Sequence, residues 1–370
     1  MKVLWLSNVP SPYRVDFFNR LGEKLELTVL FEMRNASDRD KSWMTDAFKN
    51  FNGIFLNGIR TSADKAFCIK VIQWLQKDKY RLIIISNYST PTGMLAIEWL
   101  KLMRIPFVIE ADGGFFKGGT GGKERFKKHL ISSARFWLSS GRKTTEYLVS
   151  YGAVQDSIYQ FPFSSITQSD ILTRKLYFNE KLKLRVQLGI KGEKVAITVG
   201  QFIYRKGFDI LISAWMYMKP EYTLLIIGGG ELEPELAEMI RDNSLKNVYL
   251  LGFRRKEELY KYYLASDLFI LPTREDIWGL VVNEAMACGL PVITTNKCIA
   301  GMELIEDNKN GFVIETENEA DLYKKAEYIL LQDDIREAMA DSCLDTIQNY
   351  TVEKMTEAHI NIFDYFNQVL

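Results

Sequence analysis

Short apolar runs alternate with amphipathic segments along the whole chain, and this alternation predicts an α/β protein. In the first half, the apolar runs of strand length are residues 3–6, 27–31, 82–86 and 106–112. The segments with helical spacing there are residues 14–25, 63–76 and 95–103. Each apolar run ends at a loop rich in Pro, Gly, Ser or Asn. We therefore expect parallel strands joined by helical crossovers.

The second half repeats the pattern after a looser, charged stretch at residues 164–190, which predicts a linker between two domains. Its predicted strands are residues 195–199, 224–227, 248–251, 268–271, 292–294 and 311–314. Helices are predicted from about residue 208 and over residues 279–288 and 352–366, and a loop over residues 296–303. At 370 residues the chain is long enough for two domains with separate cores.

The stretch from Leu271 to Ile293 predicts a strand, a loop, a helix and a second strand. Asp276 lies in the loop and Glu284 in the second turn of the helix. Between them, the backbone N–H groups of residues 278–280 would form a helix N-terminus, which attracts phosphate. A phosphate site flanked by two carboxylates suits a sugar nucleotide. The alternative is a buried βαβ unit with incidental surface acids.

The segment Asp-Ile-Trp-Gly-Leu-Val-Val-Asn-Glu, residues 276–284, resembles the Glu-x7-Glu motif of retaining GT-B glycosyltransferases of family 4. The resemblance implies an α/β fold with two Rossmann-like domains whose parallel sheets face a central cleft. We expect an acceptor-binding domain at residues 1–165, with helix 352–370 packing back on it. Residues 166–351 would form the nucleotide-sugar domain.

The resemblance also implies roles for the two acids. Asp276 would meet hydroxyls of the transferred sugar, and Glu284 would meet the ribose. Asp276 is one methylene shorter than the family's glutamate, and choosing the adjacent Glu275 would lengthen the spacing by one residue. We therefore assign the sugar contact to Asp276.

Three further loops, at residues 200–207, 228–231 and 252–254, resemble donor-binding loops of the family. Residues 200–207 correspond to Gly-Arg-x4-Lys-Gly, in which Lys206 matches and Gln201 replaces the arginine, so that leaving-group stabilisation would rest on Lys206 with help from Arg205. The predicted catalytic residues are Lys206, Asp276 and Asp112. The predicted donor-binding residues are Gly200, Gln201, Arg205, Gly228, Gly230, Glu231, Phe253, Arg254, Trp278, Gly279, Leu280, Val281 and Glu284.

Residues that follow the first-half strands are candidates for the acceptor side. Period-two alternation places Glu110 and Asp112 on one side of a strand that ends in Gly-Gly. They would bind the sugar or the acceptor, or merely cap the loop. The loop after the first strand contributes Pro12, Tyr13 and Arg14, and the loop after residue 86 contributes Asn87. The prolines of the first loop could alternatively serve only to stiffen a turn.

The composition of the chain limits which partners, metals and cofactors we predict. The 47 basic and 47 acidic residues cancel, so net charge gives no argument for nucleic acid, and we predict none. Four cysteines and two histidines show no metal-ligand spacing, which predicts reduced thiols and no zinc site. We interpret Asp38-Arg39-Asp40 as a solvated loop and predict no metal. No cofactor is predicted, because the nucleotide-sugar, UDP- or GDP-linked, is a substrate.

No apolar run reaches the roughly 20 residues that span a bilayer, and the first run is too short for a signal peptide. We predict a cytoplasmic protein, soluble or peripheral. Residues 117–143 are rich in Lys and Arg interleaved with aromatic residues. Such a stretch can lie on an anionic membrane, or it can be an ordinary solvated face.

The predicted activity is transfer of a sugar from a nucleotide-sugar to a saccharide or polyprenyl-diphosphate-linked saccharide, with retention, in cell-surface polysaccharide synthesis. No His–carboxylate pair with the spacing of a general base stands out in the sequence, which an inverting enzyme would need. Two alternatives stay open: a sugar-nucleotide epimerase of the same fold, and a non-catalytic nucleotide-sugar-binding regulator.

Overall fold

The computed structural model describes residues 1–36, 48–119 and 121–369 of the chain. Asp38-Arg39-Asp40 lies outside the described residues. The chain divides into two compact units. The first comprises Met1–Ser165 and Thr351–Leu370, and the second comprises Ile166–Tyr350.

A parallel sheet of seven strands forms the centre of the first unit, in the order β3-β2-β1-β6-β7-β8-β9. Its strands are β1 (Lys2–Ser7), β2 (Glu26–Phe31), β3 (Asn52–Phe55), β6 (Leu82–Ile85), β7 (Val108–Ala111), β8 (Phe136–Ser139) and β9 (Ile158–Gln160). Strands β4 (Ile59–Arg60) and β5 (Ala66–Phe67) form a separate antiparallel hairpin. The helices of this part are α1 (Pro12–Gly22), α2 (Pro91–Leu102), α3 (Gly122–Ile131) and α4 (Arg142–Ser150). The predicted strands at residues 3–6, 27–31 and 82–86 are thus confirmed.

The second unit contains a parallel sheet of six strands in the order β12-β11-β10-β13-β14-β15. Its strands are β10 (Lys194–Gln201), β11 (Tyr222–Gly229), β12 (Val248–Leu251), β13 (Leu268–Leu271), β14 (Val292–Thr295) and β15 (Gly311–Ile314). The strand order reverses between β10 and β13, which lie side by side although 66 residues separate Gln201 from Leu268. Ligands of open α/β sheets bind at the carboxyl ends of strands at such a reversal.

Helices cover both faces of the second sheet, as parallel strands require. They are α5 (Phe178–Leu188), α6 (Phe208–Trp215), α7 (Glu233–Asp242), α8 (Lys256–Ala265), α9 (Leu280–Ala287), α10 (Ile299–Leu304), α11 (Glu319–Leu331) and α12 (Asp333–Ile347). Helix α5, in the stretch predicted as a linker, is tied to the sheet by Arg185, which is buried and pairs with Asp267 at 2.5 Å. The stretch therefore includes an ordered helix of the second unit.

The last helix, α13 (Val352–Val369), belongs to the first unit. Its buried His359 and Phe363 lie against Trp5 of β1, and the ring of Phe17 in α1 lies 4.8 Å from that of His359. Aromatic burial of this kind is worth several kcal/mol per helix, at about 25 cal/mol per Å² of apolar surface. The chain therefore returns to its first unit to complete the core there.

Two predicted elements are wrong. Residues 63–76 form strand β5 and a short 3₁₀ helix, Ile69–Trp74, rather than a long helix. The cause is tertiary, because the backbone N–H of Ala66 donates to the side chain of Glu32 and that of Cys68 donates to Thr92. Within the predicted loop 296–303, helix α10 begins at Ile299.

The basic stretch 117–143 contains buried strand β8 between helices α3 and α4, so it is not one continuous helical surface. Among the described residues, no helix is both long and apolar enough to cross a bilayer.

Candidate functional site

The loops after β10 and β13 bring Lys206 and Asp276 together in the second unit. Residues 196–197 pair with residues 268–269 in register, so the two strands end at the same edge of the sheet. The Nζ atom of Lys206 lies 2.5 Å from Oδ2 of Asp276, and both side chains are largely buried. The two residues predicted to be catalytic in this unit therefore form one ion pair.

Arg205 is a second cation at the same carboxylate. Its Nη1 atom lies 3.5 Å from Oδ1 of Asp276 and donates to the backbone oxygen of Glu275 at 2.6 Å. The side chain of Arg205 is 42% exposed. Two cations and one carboxylate leave an excess of positive charge at this edge, and such an excess attracts phosphate.

The glycine loops predicted to border the nucleotide pack closely on one another. Gly200 pairs with Gly228 across β10 and β11, and a Cβ atom on Gly228 would lie 1.9 Å from the backbone oxygen of Gly200. Gly230 approaches the backbone of Phe202 in the same way. Gln201 lies at the end of β10, half-buried, opposite Gly229. Only glycine allows these strand ends to approach so closely.

Gly279 shapes the loop between Asp276 and helix α9. Its φ of 98° lies in the left-handed region, and a Cβ atom there would lie 2.8 Å from Sγ of Cys298. That thiol donates to the backbone oxygen of Trp278 at 3.1 Å, and the indole of Trp278 is buried and donates to Asn283. The loop is thus fixed on both sides before the helix begins at Leu280.

Glu284 lies in the second turn of α9, half-buried, one turn after the half-buried Val281. Its Oε2 atom accepts a hydrogen bond of 3.1 Å from the hydroxyl of Tyr263 in α8. The remaining predicted donor residues are more open. Glu231 is exposed, Phe253 is 45% exposed, and half-buried Arg254 donates to the backbone oxygen of Gly252 at 3.3 Å.

A second cluster lies at the carboxyl edge of the first unit's sheet. Arg14, near the start of α1, donates to Oε1 of Glu110 at 2.9 Å and to Oδ1 of Asp112 at 2.6 Å. The two acids lie on one side of the strand, as period two predicts, and Ser86 donates to the other oxygen of Glu110. Arg14 and Glu110 are buried, whereas the Asp112 side chain is 31% exposed. Asp112 is therefore the member that a substrate can reach.

Burial and the oppositely charged neighbours act in opposite directions on the pKa values of Arg14 and Asp112. Burial lowers the pKa of Arg14, but the charges of Asp112 and Glu110 outweigh it and raise that pKa well above its usual value. Burial raises the pKa of Asp112, Arg14 opposes this, and the charge of Glu110 adds to it. Asp112 is thus a more basic carboxylate than a surface aspartate, although a guanidinium holds it.

His359 lies beside Glu110 and forms with it a His–carboxylate pair that has no base-like spacing in the sequence. Its Nε2 atom lies 3.8 Å from Oε1 of Glu110, and its Nδ1–H donates to the backbone oxygen of Met355 at 2.7 Å. Burial lowers the pKa of His359 to about 3. The sequence could not show this pair, because 248 residues lie between its members. The pair is fully buried, so it cannot reach a proton on a substrate.

The remaining acceptor-side candidates surround this edge. Pro12 is the first residue of α1 and is half-buried, and the ring of Tyr13 lies 5.9 Å from that of Phe163. Asn87 is buried and donates to the carboxylate of Glu32 at the end of β2. Pro12 thus has a structural role, because a Pro at the first helical position favours the start of the helix that carries Arg14.

Residues 180–342 match the family described as glycosyl transferases group 1. All of the matched residues lie within the second unit, Ile166–Tyr350. A Haemophilus influenzae protein named an uncharacterized glycosyltransferase is 30% identical over 168 residues, 44% of this chain and 47% of that protein. The chain spans 44 to 49% of the length of this protein and two archaeal relatives.

Two other similarities cover most of the chain. An Escherichia coli UDP-Gal:alpha-D-GlcNAc-diphosphoundecaprenol alpha-1,3-galactosyltransferase is 26% identical over 323 residues, 81% of this chain and 80% of that protein. The crystal structure of HepE from Anabaena in complex with UDP superposes with a TM-score of 0.79 at 19% identity, over 99% of this chain and 100% of that one. With the two parallel sheets, this likeness shows the GT-B fold.

Several residues around the candidate site carry no signal in the sequence. Arg274 binds Asp209 through two hydrogen bonds of 2.8 and 2.6 Å, binds Glu317 at 2.5 Å, and stacks 3.9 Å from the ring of Tyr204. The hydrogen bonds that Arg274 donates to these acids, first of all to Asp209, raise its pKa above the usual value. This cluster fixes the loops that carry Lys206, and nothing in the spacing of its members predicts it.

Glu32 is the residue of the first unit that sequence reasoning missed. It is buried, and it accepts hydrogen bonds from the backbone N–H of Ala66 at 2.9 Å and from the side chains of Asn87 and Thr90. Burial raises its pKa from 4.5 to about 7, while these three hydrogen bonds act in the opposite direction. A glutamate directly after an apolar strand was the available signal.

No three His, Cys, Asp or Glu side chains in residues 1–36, 48–119 and 121–369 are grouped so that they could hold a metal ion.

Proposed function

We propose that this protein transfers a glycosyl group from a nucleotide-sugar to a hydroxyl of a saccharide or lipid-linked saccharide. The observation that carries the proposal is the ion pair of Lys206 with Asp276, with Arg205 beside it, at the strand reversal of the glycosyltransferase-family unit. A diphosphate needs fixed cations, and the transferred sugar needs a carboxylate that accepts from its hydroxyls. The ion pair of Lys206 with Asp276 provides both a cation and a carboxylate.

The donor roles follow from the position of each group. Lys206 and Arg205 would hold the diphosphate, and Asp276 would accept hydrogen bonds from the sugar. Glu284 would accept from the ribose. The loop of residues 228–231 would lie along the nucleotide, and residues 253–254 would lie at the base. Gln201, which replaces the family's arginine, can donate a hydrogen bond without adding charge. UDP is the first candidate nucleotide, since the related HepE structure contains UDP.

The proposed mechanism is retaining and independent of metal and cofactor. The departing diphosphate leaves on the same face that the acceptor hydroxyl attacks, and it takes the proton of that hydroxyl. The bond between the anomeric carbon and the phosphate oxygen breaks as the new glycosidic bond forms. Lys206 and Arg205 would stabilise the developing negative charge on the phosphate. Asp276 would keep the Lys206 ammonium in place before the donor arrives.

The acceptor hydroxyl would bind at Asp112. This carboxylate is the exposed member of a cluster whose other members are buried. The E. coli relative is named for a diphosphoundecaprenol-linked acceptor, which supports a polyprenyl-diphosphate-linked saccharide and cell-surface polysaccharide synthesis here. The protein would then work in the cytoplasm, at the inner face of the membrane.

A membrane contact through residues of the basic stretch belongs to the proposal. Helix α3 exposes Lys123, Arg125 and Lys128 together with Phe126, which is 43% exposed. Each basic group near an anionic surface contributes about 1 kcal/mol. Flotation with vesicles of anionic or zwitterionic lipid tests the contact, and equal recovery with both would refute it.

The decisive experiment is thermal unfolding with UDP, GDP, ADP and their sugars, without metal, on wild type and Glu284→Ala. A nucleotide that raises the melting temperature of the wild type alone supports the donor site and the ribose role. Incubating the stabilising donor with and without acceptor then separates transfer from epimerisation, because an epimerase needs no acceptor. No stabilisation by any nucleotide would refute the transferase.

A further inference from the structure

The phenol of Tyr263 contacts Glu284 from a neighbouring helix. Its hydroxyl donates to Oε2 of Glu284 at 3.1 Å. Tyr263 is 2% exposed, and a buried phenol hydroxyl needs a hydrogen-bond partner. Phenylalanine would fill the same apolar space without that requirement. We therefore attribute the tyrosine at this core position to the hydrogen bond that its hydroxyl donates to the carboxylate of Glu284.

The position of this hydroxyl is fixed by packing. The ring of Tyr263 lies 6.0 Å from the ring of Phe269 in the central strand β13, inclined by 59°. A buried ring packed against a central strand has little freedom to change rotamer. Burial, together with the charge of Glu284, raises the pKa of Tyr263 well above its usual value. The hydroxyl therefore stays protonated and donates at any physiological pH.

Glu284 has the opposite character. It is half-buried and has a flexible side chain, and its role in the proposed function is to accept from the ribose. A glutamate that must be ordered by its ligand loses rotamer freedom on binding, which weakens affinity. A second group that holds the carboxylate beforehand removes part of this cost.

We infer that Tyr263 is a positioning residue that holds the Glu284 carboxylate toward the ribose, so that the pair selects ribonucleotides over 2′-deoxyribonucleotides. The inference rests on the proposed function, in which Glu284 contacts the ribose. A site built to bind a hydroxyl discriminates against the analogue that lacks it, because its polar group is then left unpaired. The selectivity for ribose over deoxyribose thus reports directly on how well Glu284 is held.

Isothermal titration of the full chain with UDP and with 2′-deoxy-UDP tests this, with GDP and 2′-deoxy-GDP titrated in parallel. The variants are Tyr263→Phe, Glu284→Gln and the double variant. Tyr260→Phe is the matched control. It lies on the same helix, and its hydroxyl donates at 2.7 Å to the backbone oxygen of Asp170 rather than to Glu284.

We expect wild type to bind its preferred ribonucleotide about tenfold or more tightly than the deoxy analogue, since tenfold corresponds to about one hydrogen bond. Tyr263→Phe should bring this ratio close to that of Glu284→Gln, and in the double variant it should fall no further. Tyr260→Phe should keep the wild-type ratio. A general loss of stability would weaken both nucleotides equally and leave the ratio unchanged.

An unchanged ratio in Tyr263→Phe would overturn the inference, as would equal binding of ribo- and deoxynucleotide by wild type. In either case the donor site itself would stand, because nucleotide is bound. Absence of binding by wild type to all four diphosphates is a different result. It would refute the proposed function, and the inference with it.

Discussion

The two sheets carry clusters of opposite charge balance at their carboxyl edges. In the second unit, one carboxylate, Asp276, lies between Lys206 and Arg205. In the first unit, one guanidinium, Arg14, lies between two carboxylates. The cluster of the second unit thus has one positive charge in excess, and the cluster of the first unit has one negative charge in excess. The same type of sheet edge therefore supports opposite electrostatics.

Exposure differs in the same sense as the charge. The surplus cation of the second unit, Arg205, is 42% exposed, whereas Arg14 is 5% exposed and the open member of its cluster is Asp112. An accessible cation suits a diphosphate, and an accessible carboxylate suits a hydroxyl. The loops after the strands, rather than the shared architecture, therefore determine which part of the substrate each unit can hold.

Replacing Arg14 should have the largest effect on the first cluster. In Arg14→Leu, Glu110 and Asp112 lose their shared cation, and an uncompensated buried charge costs about 3–5 kcal/mol. For a unit of this size, such a loss lowers the melting temperature by about 10 °C. Differential scanning calorimetry measures it.

Arg20→Leu is the control for this substitution. Arg20 lies on the same helix, its side chain is 39% exposed, and it pairs at 2.9 Å with Glu353, whose side chain is 36% exposed. A surface pair contributes about 1 kcal/mol or less. Equal losses in the two variants would show that the buried cluster is no more important for stability than a surface pair, and the contrast between the clusters would fail.

The sequence predicted most of the sheet framework, because buried parallel strands are short apolar runs that end at Pro, Gly or polar residues. Residues 248–251, 268–271 and 311–314 are strands with the predicted bounds. Helix 63–76 was wrong because Glu32 and Thr92, distant in sequence, bind the backbone N–H groups that a helix would use. Local pattern cannot show such competition.

The same limit applies to the candidate site: its local motifs could be predicted from the sequence, and its contacts between separate elements could not. Lys206 and Asp276 belong to local motifs that keep a fixed distance from strand ends, so the sequence could place both at one edge. Tyr263, which donates to Glu284, and His359, which lies 3.8 Å from Glu110, are on helices α8 and α13 and not on the elements that carry those acids. No spacing rule connects them, since their meeting depends on how helices pack on the sheet.

Lys206→Ala removes the buried cation of the second cluster. Turnover with the identified donor should fall about 10²–10³-fold, as on loss of one strong oxyanion donor. This corresponds to a rise of about 2.7–4 kcal/mol in activation free energy. The melting temperature should change less than in Arg14→Leu, because Arg205 remains beside Asp276. Steady-state kinetics measures the effect.

Lys219→Ala serves as the control for a lost lysine, since Lys219 is exposed on the same unit. Its turnover should equal that of the wild type. Near-normal turnover in Lys206→Ala would show that the positive charge at this edge does not stabilise the leaving group, and the proposed division of labour between the two clusters would have to be abandoned.

Glu32 is a buried carboxylate like Glu110, but its described hydrogen-bond partners include no cation, whereas Arg14 donates to Glu110. Burial raises the pKa of Glu32 from 4.5 to about 7 in the folded protein. Between these values the folded state holds the proton that the unfolded chain has lost. The stabilising contribution is therefore complete below pH 4.5 and decreases as the pH rises to 7.

Since one pH unit of pKa difference corresponds to about 1.4 kcal/mol, Glu32 should cost the wild type about 3 kcal/mol between pH 4.5 and pH 8. Glu32→Gln cannot titrate at this position, so its free energy of unfolding in urea should depend less on pH by that amount. Glu26→Gln, at the start of the strand that Glu32 follows but exposed and paired with Lys2, should keep the wild-type dependence. Parallel curves for Glu32→Gln and wild type would mean that the three hydrogen bonds to Glu32 fully offset its burial. Hydrogen bonds alone would then keep a buried carboxylate ionised, and the burial of Glu110 would not by itself explain the guanidinium of Arg14 beside it.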